Sequence, residues 1–592
     1  MRLRDIIISS VCLVLAAFLF ITASMQLDFI NSQRQEMKLI INEPLENAPP
    51  SLAFATVAMG AFRGLVVDAL WLRADNLKDK GEFFDAKQIA DWIVALQPRF
   101  GMVWQFHAWN MAYNISVAIP ATQPQERWRW VKNGYELLRD KGIPLNPKDM
   151  LLYEEMANIF QHKMGFVSDE AHKYYKLQLA LAMEPLLGPA DNEYFKALAE
   201  APSEMDQITQ DTNITSLVNA LKYADKTFES KKEFVNNYLA LRQNPAKFNP
   251  EAFNVIDNFR GTEALQKFDI FAKAYCLRNT WKLDPVLMQQ LNETYGPVDW
   301  NDPNKHLPLE WRHPCTHAIY WAVKGLEVAG KDEYSQAEIM TDRMVNNSLT
   351  ALFSYGKIFI YDVPVQTDSN SQTTEQKTQK ELFLRPDLRM LESCSKSELK
   401  RIEKYEYLKN FRKGSLKSLK DGHRNMLQNA VVAFYQAGHI KQAERIYNQI
   451  RKLYPDERFN MPLVKFVLNQ LREEFRNLGL YDASEQIQML LMEAYFRYAT
   501  RDDDEAFGLE KMAKEIHDYY QSSYADENRI DLPDFKLLRY FALVDFLYDQ
   551  QYPLNMRRNL LGRIKVERPE LAEQLEQERE KLLKEYEKLK KE

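Results

Sequence analysis

The chain has 592 residues, a net charge of −6, 46% hydrophobic residues and only 19 glycines. That length exceeds one hydrophobic core: roughly 100–200 residues per domain gives about three to five units, fewer if helices stack as a solenoid. The acidic balance argues against a nucleic-acid binder, and scarce glycine favours long helices with short loops over many-stranded sheets.

The first predicted element is apolar. Arg2 and Arg4 precede a run over 6–23, with Asp5 the only acidic residue nearby and no further Lys or Arg before Arg34. About 18 such residues in a helix rise roughly 27 Å, close to the hydrocarbon thickness of a bilayer. Positive charge on the short leading side places the N-terminus in the cytoplasm and the bulk of the chain outside it. The alternative is a cleaved signal peptide, with Thr22, Ala23 and Ser24 as the small residues of a cleavage site. Residues 26–50 are polar, carry Pro44, Pro49 and Pro50, and read as a stalk.

From Ser51 the pattern turns helical. In 67–100, VDALWLRADNLKDKGEFFDAKQIADWIVALQPRF, Leu70, Ala74 and Leu77 share one helix face. Gly81 sits in a turn, Ala86, Ala90 and Ile93 face inward on a second helix, and Pro98 ends it. A small residue at position 86 permits close helix approach, and the glycine permits the turn. The segment resembles a tetratricopeptide repeat, a helix–turn–helix of 34 residues. Residues 424–457 resemble a second copy through Leu427, Phe434, Gly438, Ala443, Tyr447 and Pro455, with Val431 where glycine is usual. Residues 465–498 look like a third, with Gly479 at the turn and Ser484 at the small position. Between 101 and 185 the likeness is looser, with helices expected over 101–117, 126–142, 147–165 and 169–183 and longer connections. WQFHAWNMAYNISV and HPCTHAIYWA also resemble a group of bacterial membrane-anchored proteins, a likeness that implies no activity.

Residues 186–300 are helical by periodicity but match no repeat. Residues 355–387 change character. YGKIFIYDVPV and ELFLRPD are extended in type, and the polar 366–380 joins them, so a β-hairpin or a disordered linker is expected, with 366–380 as the domain boundary. Residues 396–424 are rich in Lys and Arg with interspersed glutamates, a solvated helix face or a surface for anionic lipid headgroups. The tail 569–592 alternates acid and base around Leu571, Leu575, Leu582 and Leu589, an exposed helix or weak coiled-coil seam.

The expected fold is all-α: an N-terminal transmembrane helix, a tetratricopeptide-like α-solenoid and a small β-hairpin insertion near 355–387. The expected divisions are an anchor or uncleaved signal (1–25), a stalk (26–50), helical repeats (51–185), an irregular helical region (186–354), a hairpin or linker (355–390), C-terminal repeats (391–565) and a charged helix (566–592).

The resemblance implies which side chains line a concave groove. These are Asp68, Trp71, Asp75, Lys78 and Asp79 in the first unit; Met102, Gln105, Trp109, Ala112 and Tyr113 in the second; and Glu154, Asn158, Gln161 and His162 in the third. The core of the set is Trp71, Asp75, Gln105, Trp109, Tyr113, Glu154, Asn158 and His162. Aromatic anchors mixed with amides and carboxylates suit a peptide ligand, although large aromatics at helical spacing also serve as core. His313 and His317, four apart and preceded by Glu310, are zinc-ligand types. Pro314 fits the first turn of a helix and would make His313 its cap.

Four scattered cysteines make no CxxC pair. No phosphate-binding glycine loop, nucleophile elbow, HExxH or calcium loop occurs. Glu154 and Glu155 point in different directions on a helix and make no acid/base dyad. The reading is therefore a non-enzymatic scaffold on the outer side of a bacterial cytoplasmic membrane. It is held through 6–23, takes protein or peptide partners, uses no cofactor, catalytic residue or metal, and binds no nucleic acid. The alternatives are a metal-dependent envelope hydrolase using 310–317 and a structural spacer that oligomerises through 566–592.

Overall fold

A computed structural model describes residues 63–589 except residue 190 and the segments 330–335, 365–377, 408–412, 476–479, 525–531 and 550–551, together with scattered positions between 12 and 33. The segment 6–23, the stalk 26–50 and Gly479 therefore lie wholly or largely outside the described residues. Among the described residues no helix is long and apolar enough to cross a membrane. Helices dominate, and the sheet among the described residues is a two-stranded hairpin. The chain divides into two compact units, one of 1–296 with 303–352 and one of 297–302 with 353–592.

The first unit begins with a helix hairpin. Helices α1 (Arg63–Asp79) and α2 (Phe83–Leu96) pack together, burying Val67, Leu70 and Ala74 of α1 and Ala86, Ile89, Ala90 and Ile93 of α2. Gly81 turns the chain at φ +78°, a region that glycine enters without a Cβ clash. The Glu82 N–H donates to the Leu77 carbonyl and the Gly81 N–H to that of Lys78, both at 2.9 Å. This is a Schellman closure, which satisfies carbonyls that the helix end would leave unpaired.

Three helices come next: α3 over 101–118, α4 over 124–145 and α5 over 150–165; after them lies α6 (His172–Leu187). Each of α3, α4 and α5 contains a π-helical turn, at Asn110–Ile115, Leu138–Gly142 and Ile159–Gly165. Such a turn absorbs an extra residue and rotates the part of the helix beyond it.

Glycines set the closest approaches. A Cβ on Gly134 of α4 would lie 2.9 Å from the Ala108 carbonyl and 3.1 Å from the Ala112 Cβ on α3. Helix α13 (Pro314–Val328) packs along α5 in the same way. A Cβ on Gly325 would meet the Tyr153 Cβ at 2.8 Å, and one on Gly165 the Cys315 Sγ at 2.7 Å. Residues 192–295 thus form an excursion, a bundle that includes α7 (Asn192–Glu200), α8 (Thr212–Ala224), α9 (Phe234–Gln243), α10 (Pro250–Asn258), α11 over 263–281 and α12 (Pro285–Tyr295), after which the chain returns to α5.

A buried charge cluster ties α4, α5 and α6 together. The Asp169 carboxylate accepts from Lys163 at 2.6 Å, Arg127 at 3.3 Å, the Tyr175 hydroxyl at 3.2 Å and the Ala171 N–H at 2.8 Å. Burial pushes its pKa up, but the adjoining cations outweigh that and hold it below the usual carboxylate value.

In the second unit, β1 (Lys357–Pro364) pairs antiparallel with β2 (Thr378–Arg385), Lys357 opposite Arg385 and Pro364 opposite Thr378. The hairpin expected near 355–387 is present, and its connection lies outside the described residues. The division between the two compact units falls before it, at 352/353. On β2, the Arg385 guanidinium lies 4.6 Å from the Phe359 ring centroid of β1, 4.5 Å from that of Phe496 and pairs with Asp502 at 3.1 Å. This pins the hairpin to helical residues of its own unit.

The remaining helices are α14 (Gln336–Tyr355), which leads into the second unit, then α15 (Leu391–Glu406), α16 (Lys413–Gln436), α17 (Ile440–Leu453), α18 (Leu463–Phe475), α19 (Leu480–Ala499), α20 (Asp503–Tyr524), α21 (Phe535–Tyr548), α22 (Leu554–Glu567) and α23 (Pro569–Leu589). Between α16 and α17, Gly438 takes φ +80°, with the His439 N–H on the Phe434 carbonyl at 2.9 Å. This repeats the closure at Gly81. Leu427, Phe434, Ala443 and Tyr447 are buried around it. Leu571 and Leu575 of α23 are buried as well, whereas Leu583 is exposed. The start of the charged tail is therefore docked on α21 and α22.

Candidate functional site: an aromatic and amide strip across three helices

Within the first unit, α3 packs against α5, and α1 reaches α3 through an aromatic contact. Trp71 on α1 sets its ring 5.2 Å from Phe106 of α3 and 5.9 Å from Phe100. Four-residue spacing places Gln105, Trp109 and Tyr113 on one face of α3, and Glu154, Asn158 and His162 on one face of α5. Trp109 stacks on Tyr113 at 5.9 Å, and Tyr113 stacks on His162 at 5.8 Å, so a continuous strip crosses from one helix to the next. The Tyr113 hydroxyl donates to the Asn158 carbonyl at 3.3 Å, and Lys163 lies 5.3 Å from the Tyr113 ring centroid. Trp71, Trp109 and Tyr113 are half-buried and His162 is exposed. Rings held by neighbours but still partly open are what a binding surface needs.

The polar part of the strip centres on Glu155, which is 5% exposed. The side-chain amides of Gln105 and Asn158 lie against its carboxyl and favour the charged form, but burial dominates and pushes its pKa up to about 7. Its Oε1 atom has no hydrogen-bond partner. Burial also raises Glu154, which is half-buried. Tyr113 is raised by burial and by the negative charge of Glu155 and Asp169. Asp75 is held by Lys78 at 2.6 Å, and Lys78 lies 5.9 Å from the Phe106 ring centroid.

The structure thus brings Gln105, Trp109, Tyr113, Asn158 and His162 together, with Glu154 beside them and Trp71 and Asp75 joined through Phe106. Two members of the wider expected set turn inward. Ala112 is fully buried under Gly134. Gln161 is buried too and donates to the Met344 carbonyl and the Ser348 hydroxyl, both at 2.6 Å. Both stand in π-helical turns, which rotate the helix face away from regular α-helical spacing. Sequence reasoning missed Phe106 and Glu155. The available signal for Glu155 was a carboxylate in step with the buried Leu152 and Met156.

The 310–317 segment serves the helix instead of forming a ligand set. His313 caps α13, its Nδ1 accepting the Cys315 N–H at 3.1 Å, as Pro314 led us to expect. The His317 Nε2 contacts the Trp311 carbonyl at 2.9 Å, and Glu310 pairs with Arg312 at 2.7 Å. Among the described residues no three His, Cys, Asp or Glu side chains converge as metal ligands. Several cations of 396–424 have intrachain partners: Arg401 with Glu398, Lys420 with Glu406 and Arg424 with Asp421. No protein-family model matches the chain, and no curated protein emerges as its relative.

Proposed function

We propose that this protein is a membrane-anchored, tetratricopeptide-like scaffold that captures a protein or peptide partner in the groove formed by α1, α3 and α5. The observation that carries the reading is the Trp109–Tyr113–His162 stack, which runs between helices and stays partly open. Two paired helices closed by a positive-φ glycine, at Gly81 and again at Gly438, support the repeat assignment. The apolar segment 6–23 supports the anchor. Its described helical positions include Val14, 71% exposed, and Phe18, 65% exposed, and apolar side chains left open in this way are what a bilayer would cover. Anchoring confines the groove to the membrane plane and raises its effective concentration toward membrane partners.

The test is crosslinked affinity purification from native membranes. Wild type is compared with a Trp71→Ala, Trp109→Ala, Tyr113→Ala variant whose helical content is intact by circular dichroism. A partner lost from the folded variant supports the groove. A partner equally retained refutes it.

A further inference from the structure

We propose that the groove recognises a cationic side chain, arginine or lysine, of its partner polypeptide, with Glu155 as counter-ion and the Trp109–Tyr113–His162 strip as stacking surface. This rests on the groove reading above. Three independent features point the same way.

The first is the unfilled acceptor. Glu155 is buried in α5 with Oε1 unpartnered, and among the described residues no basic side chain forms an ion pair with it. A buried carboxyl oxygen with no donor is costly, and a cation entering beside it removes that cost. Gln105 and Asn158 already lie against the carboxyl and orient it between α3 and α5.

The second is the aromatic surface. Guanidinium and ammonium groups bind indole and phenol faces, and arginine also stacks by its plane. Tyr113 is already flanked by Trp109 and His162, so the rings of the strip left for such a contact are those of half-buried Trp109 and exposed His162. The chain already uses this chemistry internally, with Lys163 at 5.3 Å from the Tyr113 centroid.

The third is charge complementarity. The basic groups near the groove are already neutralised, Lys78 by Asp75 and Asp79 and Lys163 by Asp169. Half-buried Glu154 and, on the adjoining buried face, Glu155 are left as carboxyl groups without a basic partner among the described residues. An anionic partner would be repelled at this point, and a purely apolar one would leave Oε1 without a donor.

The probe is a fluorescein-labelled octapeptide of alternating arginine and alanine. Its control replaces each arginine with citrulline, which keeps the shape and removes the charge. Both are titrated by anisotropy against the detergent-solubilised full chain at physiological salt. Hydrogen exchange over 150–165 confirms that each variant is folded.

The arginine peptide should bind at least about tenfold more tightly than the citrulline peptide, because a desolvated charge-assisted contact is involved. Glu155→Gln should abolish that preference, while Glu229→Gln, at an exposed site elsewhere in the same unit, should preserve it. Trp109→Ala should weaken the arginine peptide. Equal binding of the two peptides to wild type overturns the proposal, as does a preference that survives Glu155→Gln. If Trp109→Ala releases the native partner in membranes while the charge preference is absent, the groove stands and the cation claim fails. If Trp109→Ala releases nothing, the groove reading itself fails.

Discussion

Glu155→Gln should make the protein more stable, and by an amount that depends on pH. Burial raises the Glu155 pKa from 4.5 to about 7. Between those values the folded state holds a proton that the unfolded state has released, so stability falls as pH rises from 4.5 to 7 and the full cost persists above 7. At 1.36 kcal/mol per pKa unit, that cost is about 3 kcal/mol. Glutamine keeps the shape and the hydrogen-bonding reach of a protonated glutamate but cannot ionise. The variant should therefore exceed wild type by about 3 kcal/mol at pH 8 and match it within about 1 kcal/mol at pH 5. Urea unfolding monitored by tryptophan fluorescence at the two pH values measures this. A variant that is less stable than wild type at pH 8, or a difference that does not change with pH, would refute the reasoning. A group that costs stability and weakens ligand capture when neutralised behaves as a binding residue, since sites are commonly built at the expense of folding stability.

Gly325→Ala and Gly422→Ala should have opposite signs. The first forces a Cβ to 2.8 Å from the Tyr153 Cβ, and the second meets nothing within 4 Å. Expected changes are a loss of about 1–2 kcal/mol at the tight site and a gain of about 0.5–1 kcal/mol at the open one, read by thermal melts and by hydrogen exchange over the helices concerned. His107, His317 and His423 are each held near pKa 4 by burial. The unfolded chain therefore binds more protons between pH 6.5 and 4, and stability should drop steeply as pH falls across that window and level off below it; a flat profile there would contradict the assignment. Lys176, fully buried, is lowered to about 8 by burial. Wild type should gain stability from pH 8 toward 9.5 as the folded amine stays neutral and the unfolded one stays charged, whereas Lys176→Met should lose that gain in the same denaturation series.

The parts of the fold legible from sequence are those with a local cause. Gly81 and Gly438 were readable because a turn that closes a helix pair favours a residue tolerant of positive φ, and both adopt it. The hairpin was readable because two β-type runs flank a polar stretch, and the cap at His313 because proline comes directly after it. The illegible parts depend on neighbours distant in sequence. The return of α13 to α5 across the excursion 192–295 rests on Gly325 meeting Tyr153 and Gly165 meeting Cys315, contacts with no periodicity to reveal them. The inward turn of Ala112 and Gln161 arises from π-helical turns that a regular register does not contain. The attachment of the hairpin to the rest of its unit rests on Arg385 meeting Phe496 and Asp502, which sequence spacing does not show. For the site, helical spacing was enough to place Trp109, Tyr113, Asn158 and His162 on adjoining faces. Burial of the carboxyl beside them emerged only once α3 and α5 were packed.

The central claim is that the partly open strip on α3 and α5 is where a partner sits. A photoreactive phenylalanine analogue placed at position 162, where the native histidine is exposed, tests it in intact membranes against the same analogue at Tyr223, 92% exposed in the same unit. The account predicts a discrete crosslinked species from position 162 that is absent from position 223 and disappears when Trp109→Ala is added. Crosslinks of equal yield at both positions, or a species at 162 that survives Trp109→Ala, would contradict it.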